Sequence, residues 1–343
     1  MNVAEIDPIR DSRWLAFVEA TPGASIFHHP SWLGVIEDTY GYKSVCLGAT
    51  DAQALVGILP LIEVRSWLTG RRAVCLPFSD LCGALVRDAE ANQALLRYCR
   101  KLQIERCWRY VEIRDLVASE GFGAAARYKS HRLALGPDSD AVCKNFNQQS
   151  RRKLRKAEKA GVRVERRTDV EALRAFIDLN ALTRRKHGVP PQPDKLFRNI
   201  ERKLLSAGLG FIGVAILANR IVSADVFLHW NNTVVYKYGA SDERAHSVGA
   251  NYAVMSDAIR WACERKFTEF DLGRSDLTNE GLLQFKRGWG SLESDLVYMR
   301  LGVDGDRRDI DTPGMLERMK PIVARVPLPV LKIVGRMLYG HIG

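Results

Sequence analysis

An α/β protein made of two similar halves is the fold class this 343-residue chain predicts, on three observations. Helix-like and strand-like patterns alternate along the chain. Each half carries a hairpin, a further strand, an amphipathic helix and a last strand, in that order. The third observation is an internal likeness: ALLRYCRKLQIERCWRYVEIRD (94–115) and VMSDAIRWACERKFTEFDLGRSD (254–276) are both a helix, a short basic turn and a strand with alternating acids.

The elements follow in order. The start, MNVAEIDPIRDSRW, has acids where an export signal would be basic, so a cytoplasmic protein is expected. SVCLGA, the turn TDAQ and ALVGILPLIEV predict a first hairpin. The apolar run Ala54 to Ile62 is too short to cross a bilayer. Gly70 to Ser79 reads as a short strand running into LPFSD, Ala89 to Cys107 as a helix, and RYVEIRD as the next strand. In the second half, GFIGVAI, the turn LANR and IVSADVFLHW form a hairpin. TVVYKYGA is a strand, Ala250 to Arg265 a helix, and TEFDLGR a strand. The domain boundaries expected are 1–137, a linker helix 138–161, 162–305, and a tail 306–343.

The linker predicts one helix, capped by Asp138 or Ser139 and stopped by Gly161. Val142, Phe146, Leu154 and Ala157 share a face. The rest of QQSRRKLRKAEKAG carries six positive charges and one negative. A helix face that is merely solvated mixes signs at i,i+4; here only Glu158 can pair. Arg151, Arg152, Lys153, Arg155 and Lys156 are therefore candidate polyanion contacts, in line with a net charge of +11. The tail has no acid after Glu317 and keeps Arg318, Lys320, Arg325, Lys332 and Arg336 among apolar residues. Two readings stay open for it: it lies on an anionic membrane, or its apolar side packs on the protein.

Seven cysteines without a CxxC pair predict reduced core thiols, and seven histidines without HxxxH or HExxH predict no metal site. Cys75 and Cys82 flank LPFSD, but no partner pattern supports a cysteine nucleophile. The most specific stretch is FDLGRSDLTNEGLLQFKRGWGS (270–291). A strand ends in Asp271, Gly273 loosens the backbone, and Lys286 stands between Phe285 and a Gly-Trp-Gly turn. Polar groups at the C-terminal end of a strand suit a site in an open α/β sheet.

L-x-x-F-K-x-x-W-G after F-D-x-G-R-S resembles the FemAB-related branch of the GNAT superfamily, also called the BioF2-like acetyltransferase domain, which includes exopolysaccharide-associated proteins. FHHPSWLGVIEDTYGY, LPFSDLCG, KNFNQQSRRKLRKAEKAGV, TRRKHGVPPQPDKLF and YKYGASDERAHSVGANYAVMSDAI extend the resemblance over nearly the whole chain. It implies an α/β tandem of two GNAT-like mixed-sheet halves. It also implies transfer of an acyl or aminoacyl group to an amine on a cell-envelope or polysaccharide precursor. Fem enzymes take that group from aminoacyl-tRNA, whereas other GNAT proteins use acyl-CoA. ERAHSVGAN departs from the R/Q-x-x-G-x-G/A loop that cradles the CoA pyrophosphate, because Arg244 precedes Gly249 by five. Acyl-CoA and aminoacyl-tRNA both stay open as co-substrate, and no resident cofactor is expected.

Direct transfer needs a neutral amine, a fixed carbonyl and donors aimed at the oxyanion. Lys286 is assigned to the oxyanion or donor phosphate, Asp271 to the incoming amine, and Tyr238 to general acid chemistry. Arg274, Ser275, Asn251 and Trp289 are candidate substrate contacts. Ser79 and Asp80 are expected to meet the acceptor, as are Arg184, Arg185 and His187 on a loop approaching PPQP. The rival expectation is a catalytically inactive GNAT-like module docking on RNA or a membrane assembly.

Overall fold

The computed structural model describes residues 1–114, 122–245, 247–302, 320 and 323–342. His246 and most of the tail's first part, including Pro313 and Glu317, lie outside the described residues. The chain divides into two compact units: Met1–Tyr128 with Asp295–Ile310 and Met337–Gly343, and Lys129–Ser294 with Asp311–Arg336.

The first unit begins with β1 (Asn2–Glu5), α1 (Ser12–Ala20), α2 (Pro30–Tyr40), β2 (Lys43–Ser44), β3 (Leu47–Asp51) and β4 (Ala54–Leu59). It continues with β5 (Ile62–Ser66), β6 (Gly70–Val74), β7 (Leu85–Val86), α3 (Ala89–Glu105) and β8 (Tyr110–Arg114). One sheet has the order β1-β3-β4-β7. In the other, β2, β5 and β6 are antiparallel neighbours and β6 runs parallel to β8. The expected single strand ALVGILPLIEV is two strands in different sheets, because Pro60 has no N–H to continue a ladder. Leu95, Cys99 and Leu102 of α3 pack with Leu47, Leu59, Val111 and Trp108 in one core.

The second unit takes up β9 (Gly123–Ala134) from its middle. It adds α4 (Ser139–Lys144), α5 (Gln148–Lys159), β10 (Arg163–Arg167), α6 (Val170–Lys186), α7 (Asp194–Ile200), β11 (Gly210–Leu217), β12 (Arg220–Trp230) and β13 (Thr233–Ser241). Next come α8 (Ala250–Glu264), β14 (Glu269–Asp276), α9 (Glu280–Arg287) and the start of β15 (Leu292–Gly302). Strands β10 to β13 form an antiparallel meander and β13 runs parallel to β14. A helix spans Leu328–Ile342 at the C-terminal end. Val254, Met255, Ala258, Ile259 and Ala262 of α8 fill one core with Phe211, Phe227, Phe270 and Trp289.

The predicted linker helix is two helices. Asn147 caps the second by accepting from Ser150 N at 2.8 Å, and its own N–H donates to Gly288 O at 2.9 Å, so the chain turns there. Gly161 ends α5 at φ 72°, as expected.

The duplication is visible in detail. The β3–β4 and β11–β12 hairpins each turn on two left-handed residues, Ala52–Gln53 (φ 45° and 75°) and Ala218–Asn219 (φ 50° and 59°). Both long helices stop in the same turn. After α3, Cys107 N donates to Ile104 O and Trp108 N to Gln103 O. After α8, Lys266 N donates to Cys263 O and Phe267 N to Ala262 O. The parallel crossovers β6–α3–β8 and β13–α8–β14 are thus the same unit written twice.

Candidate active site

In each crossover the two parallel strands pair briefly. β6 and β8 pair at Ala73–Val111 and Val74–Glu112; β13 and β14 pair at Thr233–Glu269, Val234–Phe270 and Val235–Asp271. Beyond those points each pair parts, and what lies beyond differs.

In the first unit the chain itself follows β8. Cys75 N donates to Glu112 O at 2.8 Å, and Cys82 bridges Arg114. The LPFSD loop between them is held on every side. Trp32 Nε1 donates to Ser79 Oγ at 2.8 Å, Arg114 Nη1 to Ser79 O at 3.1 Å, and the Tyr298 hydroxyl to Asp80 O at 2.8 Å. Leu76 and Phe78 are forced to φ 26° and 66°, a conformation L-residues avoid unless neighbours over-determine it. Arg114 is fixed in turn by Glu112, whose carboxyl also accepts from Arg300. Burial would raise the Glu112 pKa, but the two guanidiniums outweigh it and hold it below the usual range.

In the second unit the parting has a local cause. Asp271 Oδ1 accepts from Gly273 N at 2.7 Å, and Gly273 sits at φ 73°, so β14 bends there. Lys286 from α9, 3% exposed, secures the bend by donating its Nζ to Gly273 O at 2.9 Å and Arg274 O at 2.7 Å. On the other strand the register shifts, so that Val226 faces Tyr238 and Phe227 faces Tyr236. Lys237 is left as a bulge two residues past the last paired one. Among the described residues, the stretch of β13 from Tyr236 to Ser241 has no strand partner on its β14 side. The Asp271–Gly273–Lys286 set that the sequence singled out is thus the device that opens the sheet.

The F-K-x-x-W-G motif has a second task. Trp289 is fully buried and packs edge-on against Phe146 at 4.9 Å and near Tyr252 and Phe285. A Cβ on Gly288 would meet Ser150 Oγ at 2.6 Å, so this glycine lets the start of α5 sit on the turn. Further along, a Cβ on Gly249 (φ 87°) would meet the Lys153 carbonyl oxygen at 2.6 Å. The backbone of α5 therefore covers the residue that opens α8, and the basic side chains are carried with it. Arg151, Arg152, Arg155 and Lys156 are exposed and Lys153 half-buried. Arg151, Arg155 and Arg260 line a groove of about 690 Å³ with Phe146, Leu154 and Ser256.

The remaining predicted positions are spread. Tyr238 packs its ring edge-on against Phe197 at 5.3 Å, with the Lys237 ammonium 5.3 Å from its centre. Asn251 is the second residue of α8. Ser275 is buried, with no partner for its hydroxyl among the described residues, and Arg274 is half-buried beside it. Arg184 and Arg185 are in the last turn of α6 and His187 is its C-cap, not on a loop: His187 N still donates to Thr183 O, and the helix stops only at Gly188 (φ 66°).

Two buried groups here escaped the sequence reading. Asp225 on β12 is 2% exposed, accepts from Ala240 N at 3.3 Å, and is pushed well above the usual carboxylate range by burial. A Cβ on Gly239 would collide with the Tyr236 hydroxyl, so that glycine makes room for a tyrosine beside Asp225. His131 on β9 is fully buried, and burial together with the Lys286 charge lowers it to about 4. A lone acid inside the apolar run IVSADVFLHW was the available signal for Asp225; His131 had none.

Briefly paired parallel strands, a bulge at their parting and a long helix crossing between them define a GNAT-type domain. The comparisons agree: residues 144–287 match the acetyltransferase (GNAT) domain family model. The match spans about two fifths of the chain, within the second unit. The chain is 24% identical over 156 residues to UDP-N-acetylmuramoylpentapeptide-lysine N(6)-alanyltransferase of Weissella viridescens, covering 45% of this chain. The match spans about half of that relative, 46% of its length. In fold, the chain is similar to the crystal structure of FemX, with a TM-score of 0.72 at 16% identity over 93% of this chain and all of that one. It is also similar to a tandem GNAT protein of the clavulanic acid biosynthesis pathway, with a TM-score of 0.54 at 12% identity over 87% and 97% of the two chains.

Proposed function

We propose that the chain is an aminoacyl- or acyltransferase that forms an amide on an amine of a cell-envelope precursor, by direct transfer. The observation that carries this reading is the parted β13–β14 pair in the second unit, with Lys286 fastened at the bend. An extended acyl or aminoacyl donor can lie along the uncovered edge of β13 like an added strand, its carbonyl held by backbone N–H groups. The amine nitrogen attacks that carbonyl carbon. A C–N bond forms, the ester or thioester bond breaks, and the amine's proton passes to Asp271. The departing oxygen or sulfur leaves with the electron pair and takes a proton from solvent or Tyr238. The buried Lys286 charge lowers the energy of the oxyanion in between.

The donor that fits better is an aminoacyl-tRNA. The start of α8, where a CoA pyrophosphate would be cradled, is covered by the α5 backbone, while α5 carries Arg152 and Arg155, exposed and without an ion pair among the described residues, outward to meet phosphates. The name of the Weissella relative supports a lysine-type amine on a nucleotide-linked precursor as acceptor. An acceptor joined to a lipid would be met at a membrane surface, and the basic stretch after Glu317, which holds no acid in sequence, supports peripheral contact there. The non-catalytic reading gains no support, because a scaffold has no need of a buried lysine holding a strand open.

The test is donor binding by the purified protein. Acetyl-CoA, a longer acyl-CoA, and charged and uncharged tRNA are titrated at low and high salt. Preference for charged tRNA that weakens with salt is the expected result. Saturable CoA binding insensitive to salt overturns the tRNA donor, and binding of none overturns the enzyme.

A further inference from the structure

The tip of the β5–β6 hairpin is Trp67–Leu68–Thr69, with Trp67 86% exposed and Leu68 56%. A tryptophan that open to water, on a turn held by Leu68 N and Thr69 N donating to Ser66 Oγ, is unusual in a soluble surface. The tip is tied to the end of the C-terminal helix. Thr69 Oγ1 and Arg72 Nη2 donate to His341 O at 2.8 and 2.9 Å, Ser66 Oγ lies 3.1 Å from His341 Nδ1, and the Trp67 ring meets the imidazole edge-on at 5.5 Å.

That helix has two faces. Leu331, Gly335 and Tyr339 turn inward. Val330, Ile333 and Met337 follow at helical spacing on the outside, 47%, 53% and 66% exposed, and Ile342 is 58% exposed beside the hairpin tip. No acid occurs anywhere in the helix, and Arg336 is exposed at its flank. Fifteen residues rise only about 22 Å, and no helix among the described residues is long and apolar enough to cross a membrane. An outward apolar stripe with an exposed arginine at its flank and an indole at its end matches a segment lying in a bilayer interface.

We propose that the hairpin tip Trp67–Leu68 and the outward residues Met337 and Ile342 at the end of the C-terminal helix form one docking surface for an anionic lipid bilayer. The hairpin tip enters the headgroup layer and the helix end lies along it, with Arg336 against lipid phosphates. Lys332 is engaged by Asp178 and Asp194, whereas Arg336 makes no ion pair among the described residues, and its charge favours an anionic bilayer over a neutral one or a second copy of this equally basic chain. This rests on the envelope reading for its purpose but not for its evidence.

The test is sedimentation of the full chain with vesicles of phosphatidylcholine alone or mixed with phosphatidylglycerol. Anionic vesicles are expected to carry the protein down and neutral ones to leave it in solution. The exposed pair Trp67→Ser with Leu68→Ser should weaken binding at least about tenfold with unchanged melting temperature. Arg336→Glu should weaken it and flatten its salt dependence. No binding to anionic vesicles, or equal binding by wild type and both variants, overturns the proposal. So does a dimer, seen by light scattering, that Trp67→Ser and Leu68→Ser dissolve. Donor binding measured on the same preparations keeps the two readings apart: lost vesicle binding with intact donor binding refutes the surface alone.

Discussion

Lys286 is where structure and chemistry are hardest to separate, since its ammonium holds two carbonyls and supplies the proposed oxyanion charge. Lys286→Met keeps the stem and removes both. Turnover should fall about 10²–10³-fold, and the two carbonyls left unpaired should cost about 1–3 kcal/mol of stability. Transfer kinetics and thermal melting on one preparation read the two effects. Asp271→Asn separates the roles at its position, because an amide oxygen still accepts from Gly273 N. Melting should hold while transfer drops; unchanged transfer would remove Asp271 from proton movement. Asp225 gives the opposite sign. Its folded pKa is raised, so it favours the fold only while protonated and that contribution is lost as pH rises. Asp225→Asn should therefore raise the melting temperature at neutral and alkaline pH and lose its advantage near pH 4, near the ordinary carboxylate value.

At the scale of elements, most of the fold was legible. Both hairpins, both long helices and both crossover strands stand where alternation and helical periodicity put them. The exceptions have local causes. Asn147 broke the linker helix by capping a new one, a role any Asn in a polar stretch can take but only tertiary contact with Gly288 selects. The helix α6 ran on through Arg184 and Arg185, because the PPQP signal acts only after Gly188. Strand β9, GAAARYKSHRLA, lacked apolar alternation and went unread. Within the site, Asp271, Gly273 and Lys286 were legible as a motif, but their joint effect was not: a bend in β14 is a property of hydrogen bonds, and the bulge at Lys237 depends on the partner strand. For α5, Arg152→Glu with Arg155→Glu should weaken polyanion binding and reduce the slope of log affinity against log salt by about 1 per lost contact. Melting should not move, since both side chains are exposed and make no described ion pair. An unchanged slope would mean that the helix does not meet phosphates.

The molecule as a whole should be acid-labile. His28 in the first unit and His131 in the second are both lowered to about 4 by burial. The unfolded chain takes up protons near pH 6.5 that the folded one refuses, so stability falls as pH drops from there toward 4. Each such histidine can add up to about 1.4 kcal/mol per pH unit to that slope. Glu112, held low by Arg114 and Arg300, extends the loss to lower pH. Denaturant midpoints measured across this range should decline steadily, and His131→Asn should flatten the decline; a flat profile in the wild type would contradict the burial of these rings.

The first unit is also completed late. Gln103 Nε2 donates to Leu301 O, the Tyr298 hydroxyl holds the LPFSD loop at Asp80, Arg300 braces Glu112, and Thr69 grips His341. During synthesis, residues 129–294 must therefore leave the ribosome before residues 1–128 receive the last strand and the helix end that close their unit. The half whose own cleft is filled thus waits on the passage of the half whose cleft is open.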